Sequence, residues 1–312
     1  MSDRCPITYK KVIFGLYSDT GLHKLNPALN GLNLLPFDRF GLHLEVQKQY
    51  CKISIPGTQP KLNAQLSVKD ETFKLSGKSG SFILKPDSIQ ETELPQNEDV
   101  TMRMAKEAGI EIPIHGLVYD NDHSLVYVTK RFDRVGKTGK IQTEDFAGII
   151  GVNRLSKTDG SLEQIAGVID KYCTFPVVEK MKLYRRILFG FLTGNANMHL
   201  KKFSIINKKG KITLSPAYGL RNTIIMPKKI EQESALTLNG QLSGFNNELL
   251  SNYFGREILG LNEKVLINIE QKMVKAYPEW KRLVNICFLS EEKKKAYLEV
   301  MKQRWKVLGW LV

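Results

Sequence analysis

The chain has 312 residues, 42% of them hydrophobic, with a mean hydropathy of −0.25, enough to bury a substantial core and to divide into two lobes. Lysine and arginine number 46 against 32 acidic residues, a formal charge of +14 that suits nucleotide, nucleic acid or an acidic protein partner without choosing among them. No apolar run is long enough to span a membrane, no apolar h-region opens the chain, and Cys5, Cys51, Cys173 and Cys287 form no C-x-x-C pair, which speaks against a membrane protein, a secreted one and a zinc site.

In chain order, a mostly strand-like pattern is expected from about Leu42 to Phe132. Its strands are Leu62 to Val68, Thr72 to Leu75, Ser81 to Leu84, Gly116 to Tyr119 and Leu125 to Thr129, set off by Gly, Asp and Asn turns. One helix interrupts it, Glu98 to Ala108, with apolar residues at four-residue spacing and a stop at Gly109. After Asp133 the pattern turns helical. Thr143 is expected to open a helix through Ile150, Ser161 to cap another through Tyr172, and Pro176 to start a long one ending near Gly194. A hairpin around Lys208-Lys209-Gly210 fills Phe203 to Leu214. Helices over Asn246 to Phe254, Asn262 to Ala276 and Ser290 to Trp305 complete the chain. Lys228-Lys229 and Glu291 to Lys295 read as solvated charge runs.

Two segments carry the chemistry. Gly194-Asn195-Ala196-Asn197-Met198-His199-Leu200-Lys201-Lys202 resembles the catalytic loop G-N-x-D-x-H-x-K-N of the HipA-like serine/threonine kinases, and Ser215-Pro216-Ala217-Tyr218-Gly219-Leu220-Arg221-Asn222 resembles that family's metal-binding segment S-P-A-Y-D-L-x-N. Ser54 to Lys61 is similar to the family's phosphate-facing loop, S-x-x-G-x-Q-x-K. Phe82 to Pro86 is similar to the strand with the phosphate-contacting lysine, Glu93 to Glu98 to the E-L-P-E-N-E start of the first helix, and Tyr127 to Arg134 to the hinge ending R-F-D-R. These blocks keep the family's order over residues 50 to 225, a far more specific signal than a lone motif. The chain resembles the family's shorter HipT branch, in which an N-terminal subdomain of about 100 residues is a separate small protein.

The resemblance implies an α+β, bilobal kinase-like fold, with a sheet-rich lobe over 1–132 and a helical lobe over 133–312. It implies nucleotide contacts at Ser54, Gly57, Gln59, Lys85, Lys130, Phe132, His199 and Tyr218, with Ser54 also at the autophosphorylation position. All but Lys130 have a plainer reading: Ser54, Gly57 and Gln59 as a turn, Lys85 as a surface lysine, Phe132 and Tyr218 as core, His199 as scaffolding. Glu98 either pairs with Lys85 or caps the helix it opens.

Three positions depart from the family. Asn197 replaces the catalytic aspartate, and its amide cannot take up a proton, a loss of about 10² to 10⁴ in rate. Lys202 stands at the metal-binding asparagine, where an ammonium repels magnesium. Gly219 replaces the metal-binding aspartate. Asp133, Glu144, Asp145, Glu231 and Glu233 are poorly placed in sequence to compensate, whereas Lys202 and Arg221 offer cations that either neutralise phosphate or turn to solvent. The expectation is a pseudokinase or inactivated toxin kinase that binds ATP weakly, with magnesium binding weak or absent. The alternative is a residually active kinase of a toxin–antitoxin module that phosphorylates an aminoacyl-tRNA synthetase. An antitoxin-like or small N-subdomain-like protein partner is expected, no membrane, and nucleic acid only through a partner, since no nucleic-acid-binding signature is present. A cytoplasmic location with reduced thiols is the default.

Overall fold

The computed structural model describes residues 3–50, 60–77, 79–88, 91–136, 139–152, 159–227 and 231–310. The expected phosphate-facing residues Ser54, Gly57 and Gln59 lie outside them. The chain gathers into two compact units, one of Met1–Asp99, Pro113–Gly139 and Ile286–Leu289, the other of Val100–Ile112, Lys140–Asn285 and Ser290–Val312.

In the first unit, helices α1 (Asp19–Leu25) and α2 (Arg39–Tyr50) precede five strands: β1 (Leu62–Ser67), β2 (Thr72–Leu75), β3 (Phe82–Lys85), β4 (His115–Tyr119) and β5 (Leu125–Lys130). They form one antiparallel sheet in the order β2-β1-β3-β5-β4. The strand-like stretch expected from Leu42 is instead the helix α2. Asp38 accepts from the Gly41 N–H at 2.6 Å, and Leu42 and Val46, four residues apart, bury one helical face in a core with Leu62, Phe73, Phe82 and Val128. The helix α3 (Leu94–Glu107) begins four residues before the expected start. Asp87 supplies the reason, because its carboxylate accepts from the Glu93 N–H at 2.9 Å and the Leu94 N–H at 3.1 Å and so satisfies amides that the start of a helix leaves open. A two-stranded ribbon, β6 (Arg134–Val135) with β7 (Gly139–Lys140), follows the sheet.

The second unit contains a three-stranded sheet in the order β10-β9-β8, built from β8 (Thr143–Asp145), β9 (Ser204–Lys208) and β10 (Lys211–Leu214). Thr143 therefore opens a strand, not a helix: it pairs with Ile206, and Asp145 caps the short α4 (Phe146–Ile150) by accepting from Gly148 N–H at 2.9 Å. The hairpin turns at Lys209 and Gly210, both with left-handed φ (54° and 82°), as a two-residue connection requires.

Ser161 caps α5 (Leu162–Tyr172) in a reciprocal box with Gln164, and Pro176 occupies the first position of α6 (Pro176–Leu192). The segment Glu248–Ile258 is π-helical. The helix α7 (Glu263–Ile286) runs ten residues past its expected end and through Pro278. Packing explains this: Trp280, Leu283 and Val284 are buried beyond the proline, with Trp280 edge-on to Phe189 and to Trp305 of α8 (Glu291–Val307) at 5.3 and 5.9 Å. Such burial outweighs the cost of about 3 kcal/mol for an interior proline.

Candidate active site

In the first unit Lys85 ends β3, opposite Tyr127 in β5. Its side chain is buried and its ammonium forms an ion pair with Glu98 of α3, whose residue is 1% exposed; it also lies 5.1 Å from the Tyr127 ring centroid. Because α3 begins at Leu94, Glu98 sits a turn inside the helix and is not its cap. Two neighbouring elements thus set one cation against one anion out of water, an arrangement that fails if either partner alone is removed. Lys130 is exposed and holds β5 through its N–H to the Ile114 carbonyl at 2.8 Å. Phe132 is half-buried.

Asp133 is committed elsewhere. Arg131 donates to its two oxygens at 2.9 and 2.8 Å and to Asn63 at 2.8 Å, and Arg134 also pairs with it. Burial raises the Asp133 pKa, but the Arg131 hydrogen bonds and the two guanidinium charges more than offset that and hold it below the ordinary value.

In the second unit the loop after α6 turns at Gly194 (φ 69°), where a Cβ would meet the Asn222 amide oxygen at 2.8 Å. The loop is pinned by Ala196 N–H to the Thr223 hydroxyl at 2.9 Å and Thr223 N–H to the Gly194 carbonyl at 2.9 Å. Asn197 is half-buried on it, its N–H facing Asn195 Oδ1 at 3.4 Å. His199 is buried and precedes the 3-10 turn Leu200–Lys202. The two motif segments meet at their altered positions: Lys202 Nζ donates to the Gly219 carbonyl at 3.3 Å, and a Cβ on Gly219 would lie 2.7 Å from that same nitrogen. The ammonium therefore stands against the place where a side chain at 219 would begin. Gly219 also has φ +66°, the left-handed region that side chains disfavour.

Tyr218 donates its hydroxyl to the Lys201 carbonyl at 3.0 Å and accepts from Ser204 at 2.7 Å, with burial pushing its pKa up to about 12. Asn222 accepts from Ile224 and Ile225 N–H at 3.0 and 3.3 Å. Glu144 is exposed, Asp145 is the α4 cap and Glu231 is exposed; Glu233 pairs with Arg304 and accepts from Phe245 N–H at 2.7 Å.

Sequence reasoning missed Arg186. This buried arginine of α6 donates to the Ser215 carbonyl at 2.8 Å and stacks 6.0 Å from the Phe203 ring, and burial lowers its pKa to about 10. It fixes the start of the Ser215–Gly219 segment. The signal was present as a charged residue inside the apolar run Arg186-Ile187-Leu188-Phe189, since such residues are buried only with a purpose.

The HipA-like C-terminal domain family matches residues 53–281. A protein of Haemophilus influenzae provisionally named as a kinase is 30% identical over 298 residues, covering 88% of this chain and 84% of its own. The serine/threonine-protein kinase toxin HipA of Shewanella oneidensis is 24% identical over 258 residues, covering 76% of this chain but 58% of its own length. Among solved structures, Shewanella oneidensis HipA in complex with HipB and operator DNA aligns with a TM-score of 0.69 at 20% identity, over 90% of this chain and 74% of that one. The Helicobacter pylori proinflammatory kinase CtkA aligns with a TM-score of 0.56 at 13% identity, over 76% of this chain and 90% of that one. With the family matched over residues 53–281 and a five-stranded antiparallel sheet carrying the Lys85–Glu98 pair, the chain belongs to the HipA-like family and has its kinase-like α+β fold.

Proposed function

We propose that this chain is a HipA-family pseudokinase that binds ATP without transferring its phosphate. The observation that carries the reading is the Lys202 ammonium set against the place where a side chain at Gly219 would start. Magnesium does not fit these residues. Hard divalent cations take oxygen ligands, carboxylates above all, and this donor set offers an amide at Asn197, an ammonium at Lys202 and no side chain at 219. Asn197 can orient a hydroxyl by hydrogen bonding but cannot accept its proton. What remains suits binding: in the first unit Lys85, oriented by Glu98, offers a cation for phosphate oxygens, and in the second the Lys202 ammonium offers another, of the kind that can replace a metal's charge.

The intact Lys85–Glu98 pair also favours a second reading, a residually active serine/threonine kinase acting on a protein such as an aminoacyl-tRNA synthetase. An ATP titration by calorimetry with and without magnesium, run beside a phosphate-transfer assay, separates the two. Weak binding that magnesium changes by less than roughly tenfold, with no transfer, is expected. Magnesium-dependent transfer lost in the paired replacement Lys85→Met with Glu98→Gln, which strands no buried charge, would establish the second reading.

A protein partner forms part of the proposal. The Shewanella HipA structure holds HipB and DNA, which supports an antitoxin-like partner here; a small N-subdomain-like partner is the other form of the proposal. Copurification with the product of a neighbouring reading frame is the check.

A further inference from the structure

In the first unit a cavity of about 270 Å³ lies against the start of α3, with Arg39, Asp87, Gln96, Tyr119, His123 and Ser124 in its walls. Neither Lys85 nor Glu98 lines it, although Gln96 belongs to the Glu93–Glu98 block. Its size is below that of pockets for drug-sized ligands, about 300–1,000 Å³, and suits a small ion or functional group.

The lining is mixed in charge, and its acids, which keep their charge, are hydrogen-bonded to backbone N–H groups. Asp87 accepts from the N–H groups of Ser88, Glu93 and Leu94 at 3.1, 2.9 and 3.1 Å. Beside the cavity, Asp120 accepts from Asp122 and Ser124 N–H at 3.1 and 2.8 Å, and Asp122 accepts from Arg39 N–H at 3.4 Å. The donors have capacity left. Arg39 spends Nη2 on the Ser88 carbonyl at 2.6 Å, and a guanidinium carries five N–H donors in all. His123 stands at the β4–β5 turn with φ 57°, edge-on to Tyr119 at 6.2 Å. A guanidinium, an imidazole and the Ser124 hydroxyl converging on a small cavity are a donor set for a planar or tetrahedral anion.

The position of the cavity gives an anion there leverage on α3. Arg39 grips the carbonyl of Ser88, and the preceding residue, Asp87, caps the first amides of the helix. Gln96 lies on α3 two residues before Glu98, the partner of Lys85. We propose that this cavity is a regulatory anion site, in which a phosphate or carboxylate group held by Arg39 and His123 stiffens the start of α3 and thereby fixes Glu98 against Lys85. Its effect on nucleotide affinity rests on the ATP-binding reading above; anion binding and helix stiffening do not.

The test uses the full chain and no nucleotide. Inorganic phosphate and acetate are titrated separately while the His123 ring resonance is followed by NMR and exchange of the Glu93 and Leu94 amides is measured. A saturable His123 shift with either anion is expected, with the two amides slowed at least about threefold. The anion that produces it identifies the class. The shift should weaken at least roughly tenfold in Arg39→Ala and persist in the Lys85→Met, Glu98→Gln pair. Arg39→Lys, which keeps the charge and part of the packing, should lie between and guards against a folding defect. No shift with either anion, an equal shift in Arg39→Ala, or loss in the Lys85–Glu98 replacement overturns the site. A shift without any slowing of the amides overturns the coupling to α3.

Discussion

At position 219 backbone and charge act together. The left-handed φ makes any side chain there cost about 1–2 kcal/mol, and an aspartate that accepted this cost would meet the Lys202 ammonium at once. Gly219→Asp alone should therefore give an internal ion pair and no metal site, and Asn197→Asp alone a base with no metal beside it. Only the triple replacement, with Lys202→Asn, is expected to yield magnesium-dependent phosphate incorporation at Ser54, because residues of one constellation are strongly non-additive. Mass spectrometry of the single, double and triple variants checks this; full activity from Asn197→Asp alone would show that the metal position was misread. Asp133 offers a second test. Its folded pKa is depressed, so its contribution to stability is present above the unfolded value of about 3.9 and is lost as pH falls through the folded one. Asp133→Asn should cost about 1–3 kcal/mol at neutral pH through unpaired Arg131 donors, and should flatten the loss of stability below pH ~4, as read by urea unfolding across pH. An unchanged acid limb would remove Asp133 from the account.

At the scale of elements, caps and turns were the most legible features. Ser161 with Gln164, Pro176 and Lys209-Gly210 act locally, through bonds spanning two to four residues, so sequence suffices to place them. Ser161→Ala should lower stability by about 1 kcal/mol, measured by denaturant midpoint at constant m-value, and a loss well above that would mean the box also holds the neighbouring bridge to Thr237. The misread elements depend on partners distant in sequence. Thr143 to Asp145 is a strand because β9, some sixty residues on, offers its edge. The stretch from Leu42 is helical because a core gathered from five strands receives Leu42 and Val46, and α7 passes Pro278 because Phe189 and Trp305 wait beyond it.

For the whole molecule, the excess charge of +14 predicts a non-specific attraction to polyanions. The isolated chain should bind duplex DNA without sequence preference, its affinity falling linearly on a log–log scale with salt. Electrophoretic titrations at several salt concentrations check this, and salt-resistant selection of one sequence would contradict the view that any DNA recognition belongs to a partner. Among the described residues no helix is long and apolar enough to cross a membrane.

By itself the sequence determined the family, the five strands of the sheet from Leu62 to Lys130, and the identity of the three altered positions, since each is a matter of residue type at fixed spacing. It could name Lys85 and Glu98 as a pair but not exclude the helix cap; that was decided by Asp87, which moved the start of α3 and left Glu98 free to face Lys85. It could list Lys202 and Gly219 as two losses. Only the tertiary structure showed that they touch, because which group lies against the bare backbone of a glycine depends on chain segments seventeen residues apart folding onto each other.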